Sequence, residues 1–270
     1  MRIAVVAPSC TLKRQAAERV QAIAAERGEC ELVIHPQCFL SDGHFAGPDE
    51  ARLAALRAVV ADASIDAVWF ARGGYGSNRI AEAALHELPE TARGKTYMGY
   101  SDAGFLLAGL HKMGMSVAWG PMPQDVVRPG GEEAVNRALD WLVRRDLTAV
   151  EPDLKAPAMA FNLTVLSNLL GTPLEPDFNG VDLMIEDVSE HLYGTDRTMF
   201  HVTASPNIRR VARLRLGRVS DIQPNDPEFG TDEVAIVEDW CRRSGIPYGG
   251  RADIGHDADN RVVPFGPIPQ

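Results

Sequence analysis

Short apolar runs alternate with stretches of helical periodicity through the first half of the chain. Between the runs, apolar residues recur at helical spacing from Lys13 to Arg27, where Gly28 ends the repeat, and again from Pro48 through Val60. The runs are continuous, as in strands covered on both faces: Ile3–Ala7, Glu31–His35 and Asp66–Phe70. Because no hairpin signal separates them, the pattern predicts an α/β fold with a doubly wound, mostly parallel sheet.

The pattern changes after a predicted helix from Glu132 to Arg145. The segment from Asp146 to Pro157 has two prolines and mixed charge, which is typical of a domain connection. Beyond it the predicted elements follow a less regular order: helix Leu163–Leu170, strand Val181–Ile185, helix near Arg197–Val202, strand Arg209–Val219 and helix Asp232–Arg243. We therefore predict one domain over residues 1–148 and a second over residues 149–270.

Composition narrows the class of protein. The 270 residues are 45% hydrophobic and 24% charged, as in a soluble globular protein, and the formal net charge of −10 argues against nucleic-acid binding. The cysteines show no metal or disulfide spacing, which predicts reduced thiols in a cytosolic protein; they are Cys10, Cys30, Cys38 and Cys241. The apolar start is too short for a signal peptide, and no segment approaches the length of a membrane span.

The stretch from Thr96 to His111 reads as strand, sharp turn and helix, with Ser101 on the turn. This arrangement lifts a serine out of the strand end and aims the positive end of a helix at it, so Ser101 is a candidate nucleophile. The fit to the usual elbow is imperfect, because Ala103 stands where a glycine is expected. A Ser-Asp pair before a helix is also typical of a simple N-cap.

A glycine-rich loop, Gly73-Gly74-Tyr75-Gly76, follows the strand that ends at Phe70. It lacks the lysine of a P-loop and the spacing of a dinucleotide fingerprint, but its backbone could approach a ligand closely. We interpret the backbone N–H groups of Gly73 and of Asp102, the residue after the serine, as candidate donors to an oxyanion. A tight turn that only needs glycine is the alternative.

A carboxylate and a histidine in the second half could complete a hydrolase site. The strand from Val181 ends in Glu186 and Asp187, whose side chains should face opposite ways, so we expect only one of them to enter a given site. His256 lies in a polar, glycine-rich loop of the kind that can present a base. A metal site is the weaker interpretation of that loop, because no second histidine or cysteine stands at ligand spacing; its ligands would be His256, Asp253, Asp257 and Asp259.

Short motifs in a fixed order extend these observations over nearly the whole chain: Ala7-Pro8-Ser9, Phe45-Ala46-Gly47, Ala71 to Gly76, Gly99 to Asp102, Gly120-Pro121-Met122, Asn162-Leu163, Leu170 to Pro173, Glu186-Asp187-Val188, Asp196-Arg197, Ile254-Gly255-His256 and Pro264-Phe265-Gly266. In these segments the sequence resembles the LD-carboxypeptidase family of serine peptidases, which also contains the microcin C immunity hydrolases.

The resemblance implies a triad of Ser101, Glu186 and His256, with oxyanion donors at Gly73 and Asp102, and it selects Glu186 over Asp187. It also implies a smaller C-terminal α/β domain that carries the acid and the base, with the active site between the domains. The implied activity is removal of the terminal D-alanine from murein tetrapeptides in the cytoplasm during peptidoglycan recycling, by a homodimer that needs no metal or cofactor. The implied partner is a muropeptide, with no nucleic acid and no membrane.

Departures from the family pattern occur at Gly104, Trp119 and Ala160-Phe161. They affect the packing of the turn and the substrate pocket, so two alternatives stay open. One is an immunity-type hydrolase of aminoacyl-nucleotides, for which Trp119 or Phe161 would be the aromatic platform; the other is a non-catalytic two-domain binding protein. Candidates for binding a terminal carboxylate are Arg72, Arg79, Arg197 and Arg251.

Overall fold

Five parallel strands form a sheet in the first half of the chain. The structure is a computed structural model that describes residues 1–86, 88–154 and 157–266. The strands follow the order β2-β1-β3-β4-β5 across the sheet, which is a doubly wound arrangement. Their bounds are β1 (Arg2–Val6), β2 (Glu31–Ile34), β3 (Ala67–Phe70), β4 (Thr96–Gly99) and β5 (Ser116–Trp119).

Helices cover both faces of this sheet because its strands are apolar on both sides. In β1, Ile3 and Val5 face one core and Ala4 and Val6 face another, as the alternation of a strand requires. The first core is closed by α1 and α5, and the second by α2, α3 and α4. The helices are α1 (Arg14–Arg27), α2 (Asp49–Ala61), α3 (Ser77–Leu85), α4 (Gly104–Lys112) and α5 (Gly131–Leu139).

A second parallel sheet of four strands, in the order β6-β7-β8-β9, follows in the second half. Its strands are β6 (Ala158–Asn162), β7 (Asp182–Val188), β8 (Arg213–Ser220) and β9 (Tyr248–Arg251). The helices between them are α6 (Leu163–Leu169), α7 (Leu192–Ala204) and α8 (Glu233–Ser244). The predicted α/β class with two sheets is confirmed, and one hydrophobic core includes residues of both sheets.

The chain returns to the first sheet near its end. Strand β10 (Val263–Pro264) pairs antiparallel with β5, with Val263 opposite Trp119. Gly266 also exchanges backbone hydrogen bonds with Ala158, the first residue of β6. The segment that follows β9 therefore joins the two sheets, and the division at residues 148 and 149 remains a prediction.

Several predicted elements differ from the structure. The order of the second half is regular rather than irregular, because β6 and β9 complete a strict alternation of strands and helices. The helix predicted from Glu132 to Arg145 ends at Leu139 and continues as a π-helical turn over Asp140–Arg144. The connection from Asp146 includes a 3-10 turn at Leu147–Ala149, and its residues 155 and 156 lie outside the described residues.

Among the described residues, no helix combines the length and the apolar character needed to cross a bilayer.

Candidate active site

Ser101 lies on the sharp turn between β4 and α4. Its φ of 58° is in the left-handed region, which non-glycine residues rarely adopt. A 3-10 turn over Ser101–Ala103 leads directly into α4 at Gly104, so the serine stands before the positive end of a helix. Strained backbone of this kind concentrates at functional sites, where the surrounding structure holds it in place.

Ser101, His256 and Glu186 form one hydrogen-bonded chain. The Ser101 Oγ lies 3.0 Å from His256 Nε2, and His256 Nδ1 lies 2.5 Å from Glu186 Oε2. The serine follows β4 of the first sheet, Glu186 is in β7 of the second sheet, and the histidine is in the segment between β9 and β10. The structure thus brings together three residues that are far apart in sequence.

Charge around His256 favours its protonated form. Burial disfavours the charged imidazole, but the charge and hydrogen bond of Glu186, together with the charge of Asp125, outweigh burial and raise the pKa of His256 above its ordinary value. Glu186 is completely buried, and within the described residues its Oε1 has no hydrogen-bond partner. A buried carboxylate on one side of the ring stabilises an imidazolium that forms when the other side takes a proton.

Gly73 packs directly against the serine. A Cβ at Gly73 would lie 2.9 Å from both Cβ and Oγ of Ser101, so only glycine fits there without a shift. The backbone N–H of Gly73 has no acceptor within the described part of the chain. A free N–H beside a nucleophile can bind an oxyanion that develops on the attacked carbonyl.

The side chain of Asp102 ties the serine turn to the glycine loop. Its Oδ2 accepts hydrogen bonds from Ser9 Oγ at 2.5 Å and from the backbone N–H of Ser77, the first residue of α3, at 2.8 Å. Burial raises the pKa of Asp102, although these bonds oppose the shift. The side chain thus has a structural position, whereas the predicted oxyanion donor is its backbone N–H.

A cleft of about 660 Å³ opens beside Ser101. Its described lining includes four carboxylic side chains, Glu82, Asp102, Asp187 and Glu190, and no arginine or lysine. Asp187 accepts a hydrogen bond from Asn162 Nδ2 at 2.9 Å, and burial with the nearby Glu186 charge raises the pKa of Asp187 to about 7. The two adjacent carboxylates have different surroundings: Glu186 contacts His256, and Asp187 lines the cleft.

The arginines considered for a substrate carboxylate lie elsewhere. Arg72 donates to Thr11 O, Arg79 pairs with Asp49, Arg251 lies 3.6 Å from Glu233 and Arg197 stacks over Tyr193. The cleft lining contains none of these four arginines.

Three of the four residues of the alternative metal site bind other partners. His256 binds Ser101 and Glu186, while Asp253 and Asp257 both pair with Arg218. In residues 1–86, 88–154 and 157–266, no group of three or more His, Cys, Asp or Glu side chains is arranged to hold a metal ion.

The candidate aromatic platforms are both core residues. Trp119 and Phe161 are fully buried. The indole N–H of Trp119 donates to Asn260 at 3.1 Å, and Asn260 in turn accepts from the backbone N–H of Gly255. Trp119 therefore holds the loop that carries His256, a contact that its position in the sequence did not reveal.

Two family models match most of the chain. Residues 3–120 match the model of the LD-carboxypeptidase N-terminal domain, and residues 156–267 match the model of the LD-carboxypeptidase C-terminal domain. The protein slr1534 of Synechocystis, a carboxypeptidase by name, is 31% identical over 98% of this chain and 89% of its own length. The chain belongs to the LD-carboxypeptidase family. The resemblance in the sequence motifs is thereby confirmed.

Other proteins similar to this chain include two carboxypeptidases and the protein MccF. The murein tetrapeptide carboxypeptidase of Pseudomonas aeruginosa is 25% identical over 83% of this chain and 78% of its own. The crystal structure of muramoyltetrapeptide carboxypeptidase from Oxalobacter formigenes has a TM-score of 0.83 at 25% identity, over 97% of this chain and 93% of that one. The structure of MccF in complex with glutamyl sulfamoyl guanosine has a TM-score of 0.80 at 18% identity, over 98% and 91%, and shows a shared fold.

Proposed function

We propose that this chain is a serine LD-carboxypeptidase that hydrolyses the bond between meso-diaminopimelate and the terminal D-alanine of murein tetrapeptides. The observation that carries the proposal is the continuous contact from Ser101 through His256 to Glu186, next to a cleft. A nucleophile, a base and an orienting acid within hydrogen-bond reach are what acyl transfer through a serine requires.

In the proposed mechanism, His256 Nε2 takes the proton of Ser101 as its Oγ attacks the carbonyl carbon of the scissile amide. The negative charge that forms on the carbonyl oxygen is bound by the N–H groups of Gly73 and Asp102. His256 then gives the proton to the leaving amine of D-alanine, and the acyl-enzyme is hydrolysed by water that His256 activates. Glu186 keeps the imidazole in the correct tautomer throughout.

The carboxylates of the cleft support a substrate whose side chain carries an ammonium. Glu82 on α3 and Glu190 after β7 both line the cleft, and neither forms an ion pair within the described residues. The far end of the diaminopimelate side chain carries an ammonium and a carboxylate on one carbon, and the ammonium is the group that such carboxylates can bind. Asp187, whose pKa is about 7, adds a negative charge as the pH rises.

The immunity-type alternative receives less support from the same cleft. The MccF complexes contain glutamyl sulfamoyl guanosine and aspartyl sulfamoyl adenosine, whose amino-acid side chains end in carboxylates. A side chain that ends in a carboxylate without a neighbouring ammonium would be repelled by Glu82, Asp187 and Glu190. The buried positions of Trp119 and Phe161 also leave the two candidate platforms unable to stack on a base.

The first test measures release of free D-alanine from a murein tetrapeptide that ends in diaminopimelyl-D-alanine. We expect turnover by the wild type and none by Ser101→Ala or His256→Ala, with His201→Ala as a control for loss of an exposed histidine. Absence of turnover by a folded wild type would overturn the proposal. Cleavage of aminoacyl sulfamoyl nucleotides would then establish the immunity-type activity, and failure of both would favour a non-catalytic binding protein.

A second test asks whether the cleft binds the side-chain ammonium of diaminopimelate. We compare the tetrapeptide with one whose diaminopimelate side-chain amine is acetylated, using the wild type and Glu190→Gln. For the wild type, acetylation should raise KM about 10-fold, the scale of one charge-assisted hydrogen bond. The ratio should shrink in Glu190→Gln, and an unchanged ratio would exclude Glu190 as the binding group.

The proposal includes a cytoplasmic homodimer, as the family resemblance implies. Sedimentation equilibrium at micromolar concentration tests the dimer, and cell fractionation tests the compartment. A monomer in solution would remove the dimer from the proposal without affecting the proposed reaction.

A further inference from the structure

His256 contacts Glu186 of β7, and a second set of contacts holds it from the side of the first sheet. Arg128, in the turn that follows β5, donates from Nη1 to the backbone carbonyl of His256 at 2.6 Å. Its Nη2 lies 2.8 Å from Asp125 Oδ1 and 3.2 Å from the hydroxyl of Tyr100. One guanidinium therefore bridges the base and the residue that precedes the nucleophile.

Tyr100, the residue before Ser101, forms a cluster with Arg128, Asp125 and His256. Its ring packs against the imidazole of His256, with centroids 4.9 Å apart, and its hydroxyl donates to Asp125 Oδ1 at 2.9 Å. The other oxygen of Asp125 accepts from the backbone N–H of Met122 at 2.8 Å. Tyr100, Asp125 and Arg128 are hydrogen-bonded to one another in this cluster, which makes the cluster rigid.

Two further contacts tether the same loop downstream of the base. Trp119 binds Asn260, and Arg137 donates from Nη1 to the carbonyl oxygens of Ala258 and Asn260, both at 2.9 Å. These bonds hold the loop after His256. Arg128 is the contact that reaches the backbone of His256 itself.

We propose that Arg128 is a positioning residue for His256: its guanidinium holds the base loop against Asp125 and Tyr100, so that His256 Nε2 stays within reach of Ser101 Oγ. The inference rests on the proposed function. Glu186 orients the imidazole from the second sheet, whereas Arg128 sets the distance of the base from the sheet that carries the nucleophile.

The charged groups of the cluster also shift the pKa of His256. The charged groups that act on His256 are Glu186 from β7 and Asp125 and Arg128 from the turn after β5; Asp257, the next residue, is paired with Arg218. Asp125 raises the pKa of His256 and Arg128 lowers it. Burial raises the pKa of Asp125, although the Arg128 cation opposes this shift.

The kinetic test separates positioning from binding and from folding. Arg128 is absent from the lining of the cleft, so Arg128→Ala should lower kcat about 100-fold, the scale of a misplaced catalytic group, with KM nearly unchanged. Arg128→Lys keeps the positive charge but cannot make both sets of guanidinium hydrogen bonds at once. Its kcat should therefore lie between those of Arg128→Ala and the wild type. Because the Arg128 side chain is 31% exposed, millimolar guanidinium should restore part of the activity of Arg128→Ala.

Arg19→Ala is the matched control, since Arg19 pairs with Glu132 at the surface and no described contact joins it to the base loop. It should keep the wild-type rate and should not respond to guanidinium. A folded Arg128→Ala with wild-type kcat, or one whose loss appears only in KM, would overturn the inference. So would a lowered kcat that neither lysine nor guanidinium improves.

Two measurements that need no substrate turnover test the role of Arg128 independently of the proposed substrate. NMR titration of the His256 imidazole in Asp125→Asn should give a pKa below the wild-type value, because a negative charge that favours the imidazolium is removed. Labelling of Ser101 by a serine-directed phosphonate should slow in Arg128→Ala and recover with guanidinium. An unchanged pKa and an unchanged labelling rate would refute the positioning role, whereas failure of the wild type to release D-alanine would refute only the proposed substrate.

Discussion

Replacement of Gly73 by alanine tests how closely the glycine loop supports the serine. The new Cβ would lie 2.9 Å from Cβ and Oγ of Ser101 and 3.4 Å from Met122 Cε. Restoring ordinary contact to the serine therefore requires a displacement of about 0.5 Å. The bond from Ser101 Oγ to His256 Nε2 is already 3.0 Å long, so the displacement would weaken it and would misalign the N–H of Gly73.

We expect Gly73→Ala to lower kcat by about 100- to 1,000-fold, or about 2.7–4 kcal/mol, as for removal of one oxyanion donor. The assay is D-alanine release, with urea denaturation to confirm that the variant is folded. Gly94→Ala is the matched control, because a Cβ at Gly94 meets nothing within 4 Å and should leave kcat unchanged. A folded Gly73→Ala enzyme with the wild-type kcat would refute both the contact and the oxyanion role.

Four more expectations follow from the site. The value of kcat/KM should fall as the pH drops through a pKa above about 6.5, because the base must be neutral and Glu186 raises the pKa of His256; a midpoint below 6 would contradict this. Ser101→Gly should be about 1 kcal/mol more stable to urea than Ser101→Ala, because glycine relieves the positive φ, and equal stability would show that no strain is stored there. Asp102→Ala should lose about 2 kcal/mol in the same measurement, since Ser9 and Ser77 lose a buried acceptor, and a loss under 0.5 kcal/mol would contradict that account. Dialysis against EDTA should leave D-alanine release unchanged; a loss that zinc restores would revive the metal interpretation of the His256 loop.

Elements with strong local signals could be predicted from the sequence. The runs of β1 and β3 are apolar on both sides, so their burial follows from composition alone. Helix α1 ends where Gly28 supplies the left-handed residue that closes it, with φ of 65°. Elements that depend on neighbours were missed: β9 contains two glycines, and β10 has two residues, so pairing with β8 and β5 rather than propensity makes them strands.

At the site, the turn at Ser101 and the glycine loop could be predicted from the sequence, because both are local consequences of a strand that ends before a helix. Alternation along β7 left Glu186 and Asp187 open as partners of a histidine, and only the family resemblance chose between them. Tertiary structure decided that Glu186 meets His256 while Asp187 lines the cleft, and that Arg128 reaches the His256 carbonyl across 128 positions. Contacts between residues so far apart depend on how two sheets pack, and no local pattern of residues encodes that packing.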